Sequence, residues 1–420
     1  MLVEHDTIGA VAAEQPTFSL EVLPELSWEI LRTMMASPNG RSDAWREAGR
    51  WALTVLEKRL GADWPANVRR KSSNGGAPEL AFAAGHVVAY AQVLEWALRL
   101  ELLDGCDGYA KARKAIANDP RPEQLAHSRV QLEVAALALK SGTKPMLEPP
   151  SRHGRPADIA FDIDNRRLVV EARVILTSED WRERELETDG IFEAIHRIET
   201  RHGVRCEGQL TEFLSEDDLG DLLSALEASA RLVAAGLEPR PLVQRGSTIT
   251  VVPRTRSEPR ALSGPQIRTN SWARIAPRIV EKAEAAVASG ASWLRLDAHD
   301  GIWQFTEWST LPLAKKVRVL ADAVRPLLAG LEGAVISCGA LLAQGAFVDE
   351  HVTVGPGLIG IRRNLPFMRV RETLIMPTGD SPCSPAQTWS DLYADEFQWM
   401  GWALNELRLP RLEEILAHNR

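Results

Sequence analysis

With 420 residues, 45% of them hydrophobic and 25% charged, the chain has an ordinary globular composition and enough length to bury two or three cores. A net charge of −8 excludes a chain-wide attraction to nucleic acid, and no run approaches the ~18 apolar residues of a membrane span. Cysteines 106, 206, 338 and 383 form no C-x-x-C pair and have no histidines at ligand spacing, so a structural zinc is not expected.

The N-terminus, MLVEHDTIGA, carries acids where a signal peptide would be basic and apolar, and a soluble cytoplasmic protein without membrane partners is expected. Residues 1–118 read as a helical accessory domain, with segments at 26–35, at 42–61 opened by Ser42-Asp43, and at 78–103. An α/β domain is expected over 119–376, and a C-terminal linker and helix over 377–420. Pro120 and Pro122 precede a helix at 123–139. Its inward stripe is Val130, Val134 and Leu137, and Glu133 is the one acid in its apolar middle. A short strand at 144–148 follows, and then the basic loop Ser151-Arg152-His153-Gly154-Arg155, whose arginines suit phosphate contacts.

The stretch RPADIAFDIDNRRLVVEARV, 155–174, then carries the chemistry. Ile159, Phe161 and Ile163 alternate with Asp158, Ala160 and Asp162, the period of a half-buried strand. Asp164-Asn165-Arg166 supplies a turn. From Leu168 to Val174 a second strand places Leu168, Val170, Ala172 and Val174 on one face and Val169, Glu171 and Arg173 on the other. Carboxylates among aliphatic strands are costly unless paired or bound to a metal. On adjacent strands, Asp158 and Glu171 can point into one pocket with Arg173 beside them.

Pro-Ala-Asp followed thirteen positions later by Glu-Ala-Arg resembles the PD-(D/E)XK signature of the restriction-endonuclease-like nucleases. The resemblance implies a mixed β-sheet with flanking helices, in the order helix, three strands, helix. It also implies a Mg²⁺ (or Mn²⁺) ion held by Asp158 and Glu171, and nuclease activity on nucleic acid, DNA ahead of RNA, in defence or repair. The helix before the hairpin often adds an acid in that family, which makes Glu133 the third candidate ligand; a partly solvated helix glutamate is the alternative. Arg173 stands where the family has Lys. Arginine keeps its proton and cannot act as a base, but its donors can neutralise charge on phosphate. A catalytically inactive member serving as a nucleic-acid-binding or protein-interaction scaffold is the alternative. A homodimer is compatible with either.

Further on, a charged helix is expected at 183–200, a short strand at 204–207, a helix at 215–235 opened by Ser215, and a strand at 247–252. From Arg240 to Arg278 eight arginines face one glutamate. Arg254, Arg256 and Arg260 in this stretch are candidates for nucleic-acid contact, with a solvated connector as the alternative. Strands at 293–297 and 333–337 alternate with helices at 271–289 and 312–328, as a mixed sheet with helical crossovers requires. Asp297 to Gly301 reads as a turn or a second acid site. Two strands are expected in 352–376, where Arg369 and Arg371 share a face and can take either an anionic ligand or ion pairs. Trp389, Trp399 and Trp402 sit at helical spacing on a last helix, 388–408, where packing is the simpler reading than base stacking. No P-loop, dinucleotide fingerprint, G-x-S-x-G elbow or H-E-x-x-H occurs.

Overall fold

The computed structural model describes residues 27–36, 41–71, 87–150, 154–163, 166–176, 179–212, 214–238, 240–254, 262–263, 271–298, 312–338, 341–342, 349–367, 369–379, 384–394 and 396–417. Helices α1 (Trp28–Ala36), α2 (Asp43–Leu60), α3 (Trp64–Lys71), α4 (Val87–Leu102), α5 (Tyr109–Asn118) and α6 (Pro122–Lys140) lead into strands β1 (Met146–Leu147), β2 (Ile159–Ile163) and β3 (Arg166–Ile175). Ser42 caps α2 as its hydroxyl accepts from the Trp45 N–H at 3.1 Å, the ordinary role of a serine before a helix.

The chain divides into two compact units, one made of residues 1–176 and 272–420, the other of 177–271. The smaller unit holds α7 (Glu179–His202), β4 (Val204–Gln209), α8 (Glu216–Ala234), β5 (Pro241–Gln244), β6 (Ser247–Pro253) and β7 (Leu262–Ser263). Its four strands run in the order β5-β6-β4-β7. Ile191, Ile195, Leu222, Leu226, Ile249 and Val251 form a core of its own. The strand expected at 204–207 therefore belongs to this second sheet and does not extend the hairpin.

The larger unit continues with α9 (Ser271–Ser289), β8 (Trp293–Ala298), α10 (Leu313–Val324), β9 (Gly333–Cys338), β10 (Leu341–Leu342), β11 (Glu350–Gly355), β12 (Leu358–Leu365) and β13 (Arg369–Pro377). It closes with α11 (Ser384–Ala394), α12 (Glu396–Glu406) and α13 (Leu412–Leu416). Eight strands form one mixed sheet in the order β1-β2-β3-β8-β9-β13-β12-β11, with β10 paired to β13. The hairpin pairs antiparallel from Ile159↔Val170 to Ile163↔Arg166, while β3, β8 and β9 are parallel. Every residue of β8 is buried, as expected of a parallel strand covered on both faces.

One face of this sheet packs on the N-terminal and C-terminal helices in a single core that joins Trp45, Leu94, Leu132, Val170, Trp293, Val335 and Trp389. The other face is covered by α9 and α10 through Ile275, Ile279, Val317 and Leu320. The N-terminal helices thus share a core with the sheet, and the two units do not follow the segments 1–118, 119–376 and 377–420. An apolar sheet face has to be covered, and these helices supply the cover. Two glycines permit close approaches. A Cβ on Gly108, at φ +78°, would lie 1.8 Å from the Leu147 carbonyl oxygen, and one on Gly333 would lie 2.6 Å from the Trp293 ring. No helix among the described residues is long and apolar enough to cross a membrane.

Candidate functional site

Carried one residue beyond its first pair, the hairpin register sets Asp158 opposite Glu171. Both side chains meet the Arg173 guanidinium. Its Nη1 donates to Asp158 Oδ2 at 3.2 Å and to the Ala172 carbonyl at 2.9 Å, and its Nη2 to Glu171 Oε1. Asp158 Oδ2 also accepts from the Ala172 N–H at 2.8 Å. Asp158 and Arg173 are each 8% exposed and Glu171 is fully buried, so the two acids and the guanidinium form a desolvated cluster.

Three further side chains complete it. His127 on α6 places Nε2 3.3 Å from Asp158 Oδ1, and its Nδ1 lies 3.5 Å from Arg173 Nη1. Gln131, one helical turn on, donates to the Asp158 carbonyl at 3.0 Å. Ser289, the last residue of α9, donates to Glu171 Oε2 at 3.0 Å. None of the three was singled out in the sequence. His127 and Gln131 are four apart and so share a helix face, and that polar pair was the available signal. Ser289 is brought in from 118 residues away by the crossover and leaves no local trace.

The two carboxyls titrate in opposite directions. Burial works against the Asp158 charge, but the His127 hydrogen bond and charge, Arg173 and the Ala172 N–H outweigh it and hold Asp158 below its ordinary range. Burial and then the Asp158 charge push Glu171 up to about 7, against the opposing pull of Arg173 and Ser289. An acid whose folded pKa is raised holds its proton longer in the folded state. Its contribution is intact below the unfolded value of 4.5 and is lost as pH rises toward 7. Glu171→Gln is therefore expected to flatten the fall in unfolding free energy between pH 4.5 and 7 relative to wild type, as read by denaturant titrations across that range. An unchanged slope would rule out Glu171 as the titrating group.

Glu133 is not brought to this cluster. Glu171 pairs with Leu294 and Ala172 with Arg295, so Arg295 lies on the opposite face of the sheet from Glu171. Glu133 accepts from Arg295 Nη2 at 3.0 Å and from Arg371 Nη1 at 2.8 Å, with Arg99 at 3.9 Å. Arg371, Arg295 and Arg99 overcome the cost of burial and lower its pKa to about 2. It serves as the anion of a buried arginine cluster, a correction to its expected place beside Asp158 and Glu171. Among the described residues no group of three or more His, Cys, Asp or Glu side chains could hold a metal ion.

Of the candidate phosphate contacts, Arg155 is exposed and its charge acts on Glu171. Arg254 is exposed in the other unit, while Arg152, Arg256 and Arg260 fall outside the described residues, as does His153. Asp297 is buried and pairs with Arg129 at 3.4 Å; residues 299–301 are outside the described set. Glu148 pairs with Lys111. Arg369 and Arg371 both take ion pairs, with Glu95 at 2.6 Å in the first case and with Glu133 and Glu396 in the second. Trp389 and Trp399 are packed in the core.

No protein-family model, no curated protein and no solved structure matches this chain.

Proposed function

We propose that the chain is a metal-dependent phosphodiesterase acting on nucleic acid, with a restriction-endonuclease-like core. The observation that carries this reading is the opposition of Asp158 and Glu171 across the hairpin, where burial and like charge raise Glu171 to about 7. Such a pair is relieved by a cation, and perturbed carboxyls of this kind concentrate at functional sites. The order α6, β1, β2, β3 supports the fold assignment, while the helix expected next, 183–200, is α7 of the smaller unit.

The donor set suits Mg²⁺ in type and number. One or two carboxylates are what that ion takes from a protein, with water and substrate phosphate completing its shell. Bound there, it would supply a water of lowered pKa and a counter-charge for the leaving oxygen. Arg173 would give up its bond to Glu171 and direct its fork of donors to the phosphate. Arg155, exposed beside the pair, would meet the adjoining backbone. His127 holds Asp158 by Oδ1, the oxygen that Ala172 does not take, and keeps the carboxylate ionised.

A second reading, a catalytically silent member of the same fold that binds nucleic acid, is favoured by Arg173, whose guanidinium already satisfies both acids. Incubation of the purified chain with single- and double-stranded DNA and RNA in Mg²⁺, Mn²⁺ or chelator separates the two. Cleavage that requires metal and falls by at least about a thousandfold in Asp158→Ala is expected. Binding without cleavage supports the silent reading and contradicts the enzyme.

A further inference from the structure

Helix α9 crosses from β3 to β8 and lies against the face of the sheet that carries Glu171 and Arg173. Both of its ends are tied to β3. Ser289, its last residue, donates to Glu171 Oε2, and Arg274, in its first turn, donates through Nη1 to the carbonyl of Leu176, the residue after β3, at 3.3 Å. The helix therefore runs antiparallel to β3, from just beyond the carboxyl end of the strand back to Glu171.

At about 100° per residue, Arg274, Arg278 and Lys282 fall on one flank of α9, within about 80° of one another and in steps of about 6 Å, and Ser289 lies inside the same arc. The opposite flank carries Val287, which is set against the α10 crossover: a Cβ on Gly330 would lie 3.1 Å from its Cγ2. Helix α10 covers the β12 side of this face, whereas β2 lies on the far side of β3. The basic flank thus looks away from α10 and toward the hairpin.

Arg278 is exposed. Lys282 donates to Glu281, the acid nearest the row, at 2.7 Å. That hydrogen bond and the Lys282 charge hold Glu281 below the usual carboxylate range, and Arg278 and Arg173 add to the pull, so the row and the hairpin guanidinium act on one group. A phosphodiester strand carries a negative charge at every regular step, and a single row of cations can follow one such strand.

We propose that the Arg274, Arg278 and Lys282 flank of α9 is a track for one nucleic-acid strand, which it leads past Arg173 to Asp158 and Glu171. The track rests on the nucleic-acid reading of the hairpin cluster, but not on cleavage there. Its residues position the backbone and read no base. Lys282 exchanges its exposed pair with Glu281, worth little in water, for a phosphate oxygen.

The test measures binding of the full chain to fluorescein-labelled single-stranded DNA by anisotropy, over a series of KCl concentrations and with two unrelated sequences, in chelator so that no cleavage intervenes. Arg278→Gln and Lys282→Gln should each lower the slope of log affinity against log salt by about 0.7, and weaken both sequences alike. Glu281→Gln, which frees Lys282, should instead tighten both by about threefold. Arg278 and Glu281 are exposed, and unchanged melting temperatures would show that these variants keep the fold. No binding to DNA, even beside binding to anionic vesicles, would overturn the track. Slopes and affinities of the variants equal to wild type would overturn it too, and metal-dependent cleavage by the wild type would then leave the enzyme standing without it. Changed slopes with no cleavage by the wild type would support the track and remove the enzyme.

Discussion

Replacing Arg173 with methionine is expected to cost about 3–5 kcal/mol of unfolding free energy at pH 8, because it deprives two buried carboxylates of the guanidinium they share. Arg173 bonds both Asp158 and Glu171, and the remaining partners, His127, Ser289 and the Ala172 N–H, are shared between them. The loss should shrink on acidification, since a protonated Glu171 no longer opposes Asp158. It should also shrink when Mg²⁺ is added. A ligand that binds only the folded state stabilises it by about 2.7 kcal/mol at a hundred times its dissociation constant. The measurement is denaturant unfolding of Arg173→Met with and without Mg²⁺, beside the double variant Arg173→Met/Glu171→Gln. Mg²⁺ should rescue the first and not the second. A single variant as stable as wild type would show that the guanidinium does not compensate these acids.

Glu133→Gln should destabilise the fold by about 3 kcal/mol, and should leave metal-dependent cleavage per folded molecule unchanged. The amide keeps the shape but removes the anion between Arg295 and Arg371, both buried. Arg295 retains the Tyr393 hydroxyl at 2.6 Å and the Leu296 carbonyl at 2.6 Å, which limits the damage. Unfolding curves and cleavage rates on the same preparation make the distinction. Cleavage lost as fully as in Asp158→Ala, with stability intact, would return Glu133 to the metal site.

The hairpin was legible because its evidence is local. Period-two alternation placed Glu171 and Arg173 on one face, and pairing of the two adjacent strands allowed Asp158 to meet them. The central strands and crossover helices were legible for the same reason: α9 spans the expected 271–289, and β8 and β9 extend the expected 293–297 and 333–337 by one residue. What was not legible is what arrives from a distance. The helix face of Glu133 cannot be read from its apolar neighbours alone, and its partners Arg295 and Arg371 lie 162 and 238 residues away. Those arginines look like surface charge in a sequence and prove to be interior. The segment 352–376 hid a third strand, since Gly357, at φ +67°, allows the turn between β11 and β12 where only the later turn at 366 was expected. The last helix, expected as one over 388–408, is two, α11 and α12.

The most direct test of the central claim, that Asp158 and Glu171 converge to hold a divalent cation, is a crystal structure of the full chain in Mn²⁺ with data collected at the manganese edge. An anomalous peak within coordination distance of both carboxylates, with Arg173 drawn away from Glu171, is the predicted result. Arg173 still bonded to both acids, with no peak between them at saturating Mn²⁺, would contradict it.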